Sequence, residues 1–223
     1  RAVVCIIHGF GEHIGRYDHV VSEYTTSNIS CYGIDLPGHG RSSGKKGTVQ
    51  SLQDYILAVD FIYEKAVLEN KDLPVFLYGH SMGGGIVLRY LLLTSLPPAG
   101  AIITSPWLSL VKKPNAFELV LGRMLLSFGF NKNQTAKLDP NSLSRDESVV
   151  YLLDRSFDFR TQILLAHGTA DTITDFKVSK TLAKRHHDQI TFKEWKELRH
   201  ETHNETNSYE VLNYYKNWIL DKS

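Results

Sequence analysis

The stretch Gly79-His80-Ser81-Met82-Gly83 sets one serine between a short apolar run, Val75 to Tyr78, and a longer one that continues to Leu93. A serine hydroxyl attacks a carbonyl only when a base takes its proton and a carboxylate orients that base. The chain around Ser81 is suited to presenting such a nucleophile. The left run is β-branched and aromatic and follows Pro74, which predicts a buried strand, while the right run predicts a helix. Gly79, Gly83, Gly84 and Gly85 permit a tight reversal and close backbone approach between them. In strand–turn–helix context, Gly-x-Ser-x-Gly holds the hydroxyl exposed above the sheet. It also turns the backbone N–H of the next residue, Met82, toward an oxyanion forming at the helix N-terminus. A glycine-rich turn with an incidental serine is the alternative, and the other residues of the chain must decide between them.

The elements that would position partners for Ser81 are legible as short apolar runs separated by helical patterns. Strands are expected at Val3 to Ile7, Cys31 to Leu36, Val75 to Tyr78, Ala101 to Thr104 and Ile163 to Ala166, with a less apolar sixth from Thr191. Most are continuously apolar, as parallel strands buried on both faces are. Helical spacing marks the segment from Ser51 to Asn70 and the closing segment from Glu205 to Leu220. Alternating strands and helices predict a single α/β domain with a mostly parallel sheet.

Ligands of such sheets bind beyond the carboxyl ends of the strands. There the chain carries HGFGEH, DLPGHGRSSG, GHSMGG, SPW, HGTADT and ELRHETHNE in turn. The last loop offers His200 and His203 as bases; the loop after the fifth strand offers Asp171 and Asp175 as acids. Asp171, inside the HGTAD turn, is the stronger acid candidate, and the chain order Ser, Asp, His suits this type of fold. The backbone N–H of Phe10, following His8-Gly9, is placed by order to be a second oxyanion donor. His8, His39, His80 and His167 are expected to be backbone-bonded turn residues, and His186 and His187 to be solvated on a polar helix.

Other chemistries fit less well. His200-Glu201-Thr202-His203 lacks the spacing of a zinc-binding H-E-x-x-H pair. The loop GFGEHIG has Ile14 where a dinucleotide fingerprint needs its last glycine, and Glu12 would repel a pyrophosphate. No metal or cofactor is expected. With a net charge of +1 and no basic stripe, the chain has no electrostatic footprint for nucleic acid. No apolar run is long enough to span a membrane, and the N-terminal residues lack a signal-peptide cleavage pattern. Cys5 and Cys31 lie in strand-like runs and are expected as buried free thiols, consistent with a cytoplasmic setting.

Read together, HGFGEHIGRY, DLPGHGRSSG, PVFLYGHSMGG, HGTAD and HETHNE resemble the α/β-hydrolases, and within them the monoacylglycerol lipase and lysophospholipase group. The segment before the serine turn is the most specific part, because the turn alone marks only the superfamily. The resemblance implies an α/β-hydrolase fold with Ser81 as nucleophile, His200 as general base and acid, and Asp171 as its orienting carboxylate. Backbone N–H groups of Phe10 and Met82 would form the oxyanion hole. It further implies that Glu12, Arg16 and His203 line the end where a glycerol head group sits, although a local Glu12–Arg16 ion pair holding the loop is a compatible alternative.

The family usually carries two strands ahead of the first strand seen here and a longer helical cap between the fourth and fifth. Here the cap is expected at about residues 107–160. Its helix, Asn115 to Phe130, has a very broad apolar face, which the resemblance would make an acyl-chain tunnel opening on a membrane or lipid-droplet surface. Lys112 and Lys113 precede it and are suited to anionic head groups. The function so implied is hydrolysis of a monoacylglycerol to fatty acid and glycerol through an acyl-enzyme. Lysophospholipase or general carboxylesterase activity uses the same residues, and a non-catalytic binding protein of this fold would lack one of them. Nothing in the sequence fixes an oligomeric state.

Overall fold

In a computed structural model of the chain, the structure describes residues 1–47, 51–109, 111 and 159–223. A six-stranded sheet has the order β2-β1-β3-β4-β5-β6, and every neighbouring pair is parallel. The strands are β1 (Ala2–Ile7), β2 (Ile29–Ile34), β3 (Val75–His80), β4 (Gly100–Thr104), β5 (Ile163–Gly168) and β6 (Ile190–Trp195). Each falls where its apolar run predicts. Only β2 ends clearly short, at Ile34 rather than Leu36. There the Asp35 carboxylate accepts the N–H groups of Ile14 at 2.8 Å and Arg41 at 2.7 Å and takes the chain into a turn. Cys31, on this edge strand, is half-buried instead of buried, and both cysteines are free.

Alternation along β1 divides the core between two faces, as period-two side-chain geometry requires. Val3, Cys5 and Ile7 pack with helices α2 (Leu52–Glu69), α3 (Met82–Leu93) and α4 (Phe176–Arg185). Ala2, Val4 and Ile6 pack with α1 (Asp18–Thr25) and α5 (Ser208–Leu220) on the other side. Helix α2 starts where Asp54 accepts the Ser51 N–H at 3.2 Å, an N-terminal cap written in the sequence.

The chain runs outward from β1 to β2 and then crosses back to β3, so the strand order reverses between β1 and β3. Ile7 is in register with Gly79 there, and the loops leaving the two strands emerge side by side. In open α/β sheets that reversal opens the crevice in which ligands sit. The expected cap at 107–160, with its helix Asn115 to Phe130 and the Lys112–Lys113 pair, lies almost wholly outside the described residues.

Candidate active site

Ser81 occupies the turn between β3 and α3 with φ 52° and ψ −116°, a left-handed backbone that a serine adopts only under constraint. Several contacts impose it. The Ser81 N–H donates to the Thr104 carbonyl at 2.9 Å, and its own carbonyl accepts the Trp107 N–H at 2.9 Å and the Gly85 N–H at 3.1 Å. Gly83 supplies the room: a Cβ there would lie 2.2 Å from the Ile7 carbonyl oxygen and 2.5 Å from that of His8. Absence of a side chain thus lets α3 start directly against the end of β1.

The loop after β5 and the loop after β6 bring the remaining groups over this turn. They are tied together by the Ala170 N–H on the Leu198 carbonyl at 2.9 Å. His200 Nε2 stands 2.9 Å from Ser81 Oγ, and His200 Nδ1 stands 2.7 Å from Asp171 Oδ2. Because an ionised carboxylate only accepts, Nδ1 carries the proton and Nε2 is left to accept from the serine hydroxyl. Asp171 is buried and heavily solvated by the protein itself. Thr174 Oγ1 donates to Oδ2 at 2.8 Å, while the N–H groups of Ile173 and Thr174 reach Oδ1 at 2.7 and 3.1 Å. Burial alone would raise its pKa, yet hydrogen bonds from His167 and His200 hold the carboxyl well below the usual carboxylate range. Asp175, the other acid considered, instead caps α4 by accepting the Lys177 N–H at 2.8 Å.

Phe10 lies in the turn after β1, beside Ser81. A Cβ at the preceding Gly9 would be 3.2 Å from Ser81 Cβ. Among the described residues, neither the Phe10 N–H nor the Met82 N–H has a hydrogen-bond acceptor, and Met82 opens α3. Two unclaimed donors therefore flank Ser81, one of them at a helix N-terminus.

Glu12, Arg16 and His203 are brought near this loop in a different way from the head-group expectation. Glu12 is buried, and its Oε1 accepts the Gly9 N–H at 2.7 Å and the Tyr17 hydroxyl at 3.3 Å. Arg16 joins Glu12 Oε2 at 3.2 Å and donates to both oxygens of Glu201 at 3.0 and 2.8 Å. Arg16 therefore bridges the loop after β1 to the residue next to His200. His203 is 1% exposed, stacked on Tyr17 at 5.1 Å and edge-on to His80 at 4.7 Å, and burial pushes its pKa down to about 3. The carboxylate of Glu12 is committed to the loop backbone, whereas the ring of His203 packs in an aromatic cluster with neither nitrogen hydrogen-bonded among the described residues. For Glu12 and Arg16 that geometry favours bracing of the loop.

The other histidines divide. His8 and His39 do bond neighbouring backbone, Nδ1 of His8 to the Gly9 carbonyl at 2.7 Å and Nδ1 of His39 to that of Pro37 at 3.1 Å. His80 instead bonds the Thr104 hydroxyl at 3.0 Å, and His167 bonds Asp171 at 3.0 Å. His186 is buried against Phe159 rather than solvated. Thr174, His167 and Glu201 contact the candidate site residues without having been expected there. Thr174, three residues after an aspartate in a turn, carried a local signal, whereas Glu201 meets Arg16 only through the fold.

A parallel sheet with this strand order and a serine held at a strained strand-to-helix turn define the chain as an α/β-hydrolase. Residues 1–156 match the family model of the serine aminopeptidases, S33, so the chain belongs to that hydrolase family. A monoacylglycerol lipase of Mycolicibacterium smegmatis is 28% identical over 99% of this chain and 88% of its own length. An uncharacterized abhydrolase domain-containing protein of Dictyostelium discoideum is 32% identical over 99% of this chain, which spans only 26% of that much longer protein. Among solved structures, the monoacylglycerol lipase of Paleococcus ferrophilus superposes with a TM-score of 0.77 at 26% identity, covering 99% of this chain and 95% of that one. The similarity thus falls in the lipase group indicated by the sequence motifs. Among the described residues, no helix is long and apolar enough to cross a membrane.

Proposed function

We propose that the chain is a serine hydrolase that cleaves monoacylglycerol to a fatty acid and glycerol through an acyl-enzyme on Ser81. The observation that carries this reading is the unbroken line from Ser81 Oγ to His200 Nε2 at 2.9 Å and from His200 Nδ1 to Asp171 Oδ2 at 2.7 Å. As Oγ attacks the ester carbonyl, its proton passes to His200 Nε2, and Asp171 stabilises the resulting imidazolium. The carbonyl oxygen becomes an oxyanion that the Phe10 and Met82 N–H groups receive. His200 then gives its proton to the departing glycerol oxygen. A water molecule, deprotonated by the same imidazole, attacks the acyl-enzyme carbonyl, and the imidazolium returns its proton to Ser81 Oγ as the fatty acid is released.

The lipid part of the reading draws on the lipase relatives and on apolar side chains at the mouth. Phe10 and Trp107 meet edge-on at 6.5 Å, and the exposed Val111 and Ile173 are joined by a backbone hydrogen bond of 3.1 Å beside the Asp171 loop. An apolar rim suits an acyl chain presented from a lipid surface, and peripheral association of a cytoplasmic protein with such a surface belongs to the same proposal. The test is a panel of monoacylglycerols, lysophospholipids and short aryl esters, with the Ser81→Ala variant as control. Preferential Ser81-dependent turnover of monoacylglycerols is expected. Preference for lysophospholipids or short esters would reassign the substrate, and turnover that survives Ser81→Ala would reject the mechanism.

A further inference from the structure

We infer that His167 is a positioning residue for the catalytic acid: held by Ser179, it shares one oxygen of Asp171 with His200 and thereby limits how strongly Asp171 supports the charged base. This rests on the triad proposed above. His167 is the penultimate residue of β5, four residues before Asp171, and its side chain is wholly buried. Its Nε2 lies 3.0 Å from Asp171 Oδ2, the oxygen that His200 Nδ1 reaches at 2.7 Å. Its Nδ1 lies 2.9 Å from the hydroxyl of Ser179, a buried residue of α4. The carboxylate can only accept, so His167 Nε2 carries a proton. In the neutral ring Nδ1 then accepts from Ser179, which fixes the tautomer. The Phe176 ring, edge-on at 5.7 Å, packs the imidazole in place.

A third donor on Oδ2, beside His200 and Thr174, draws negative charge away from the bond to His200. The imidazolium formed during catalysis is then less stabilised than it would be by an oxygen serving His200 and Thr174 alone. Other groups also act on this pair. Thr174 and the Ile173 N–H face Asp171 from its own loop, and His80 faces the His200 ring at 4.9 Å from the end of β3. His203 meets His80 edge-on at 4.7 Å, and Glu201, next to His200, is paired with Arg16. Of these groups Thr174 alone also meets His167, its hydroxyl lying 3.3 Å from Nε2, so a substitution at position 167 leaves the others in place.

The experiment is the pH profile of kcat/KM on a simple aryl ester for wild type, His167→Leu, His167→Gln and Ser179→Ala, with melting temperatures and fluorophosphonate labelling of Ser81 alongside. Leucine removes the donor, whereas glutamine can return an amide N–H to the place of Nε2. His167→Leu is expected to move the acid limb up by roughly 0.5 to 1 pH unit, a fraction of what a lost hydrogen bond to a charged group is worth. His167→Gln should keep the wild-type limb, and Ser179→Ala should move it part of the way in the same direction. An unmoved limb in His167→Leu, or equal shifts in the leucine and glutamine variants, would overturn the inference and leave His167 a packing residue. Should the leucine variant not fold, an unmoved limb in Ser179→Ala overturns it equally. Activity that persists in Ser81→Ala is a different outcome: it removes the triad itself, on which this inference rests.

Discussion

Ser81, His200 and Asp171 form one hydrogen-bonded line, so their removal should not be additive. Ser81→Ala and His200→Ala are each expected to lower kcat by about 10⁴- to 10⁶-fold, and the double variant to lose little more, since members of such a unit fail together. Steady-state rates of the three variants check this; a double variant far slower than either single one would show two independent contributions. His203→Ala, by contrast, should retain substantial turnover, because it is His200 whose ring reaches Ser81 Oγ, at 2.9 Å, while His203 packs edge-on against His80. Glu12 separates the bracing and head-group readings. With its Oε1 on the Gly9 N–H and Oε2 on Arg16, Glu12→Gln should depress kcat/KM for a monoacylglycerol and for an aryl ester by similar factors. A loss confined to the monoacylglycerol would return Glu12 to the glycerol. These residues were legible to different depths. Ser81 and Asp171 announced themselves in short motifs, and two histidines competed for the base. The motif that suggested a head-group site did not reveal that Glu201, distant in sequence, takes both hydrogen-bonding nitrogens of Arg16.

At the scale of elements, the site depends on how closely α3 abuts β1. Gly83→Ala would drive a methyl group onto the Ile7 and His8 carbonyl oxygens and push the Ser81 turn away from Phe10. Overpacking of this kind costs about 1 to 3 kcal/mol, so the melting temperature should fall and kcat with it. Thermal unfolding followed beside aryl-ester turnover checks this, and a variant with unchanged melting and rate would show that the two strand ends can separate freely. The strands themselves were readable because parallel strands buried on both faces are continuous apolar runs with turn signals at their ends. Where β2 stops was not readable, since it is decided by the Asp35 carboxylate reaching Ile14 and Arg41. His167 was read as a turn residue for a similar reason: its partners Asp171 and Ser179 lie on the following loop and on α4, and periodicity carries no information about such side-chain meetings.

Considered as a whole molecule, the fold buries His8 and His203 in neutral form. Burial pushes His8 down to about 4 and His203 down to about 3, and the unfolded chain titrates near the ordinary 6.5. Between those values the unfolded state binds more protons than the folded state, so stability is full above about pH 6.5 and falls as pH drops toward 4. Asp171, held below the ordinary 3.8, acts in the same sense, and its contribution is lost only in stronger acid. Melting temperatures should therefore be nearly level from pH 8 to 7 and decline from 6.5 downward, with a shallower decline in His203→Gln. A profile flat to pH 4.5 would contradict the neutral burial of these rings. The central claim, that Ser81 is a nucleophile activated by His200, is tested most directly by mass spectrometry of the intact chain and its peptides after reaction with a fluorophosphonate. The account predicts one adduct, on Ser81, formed rapidly by the wild type and slowed by orders of magnitude in His200→Ala. An adduct on another residue, or labelling of Ser81 at the same rate without His200, would contradict it.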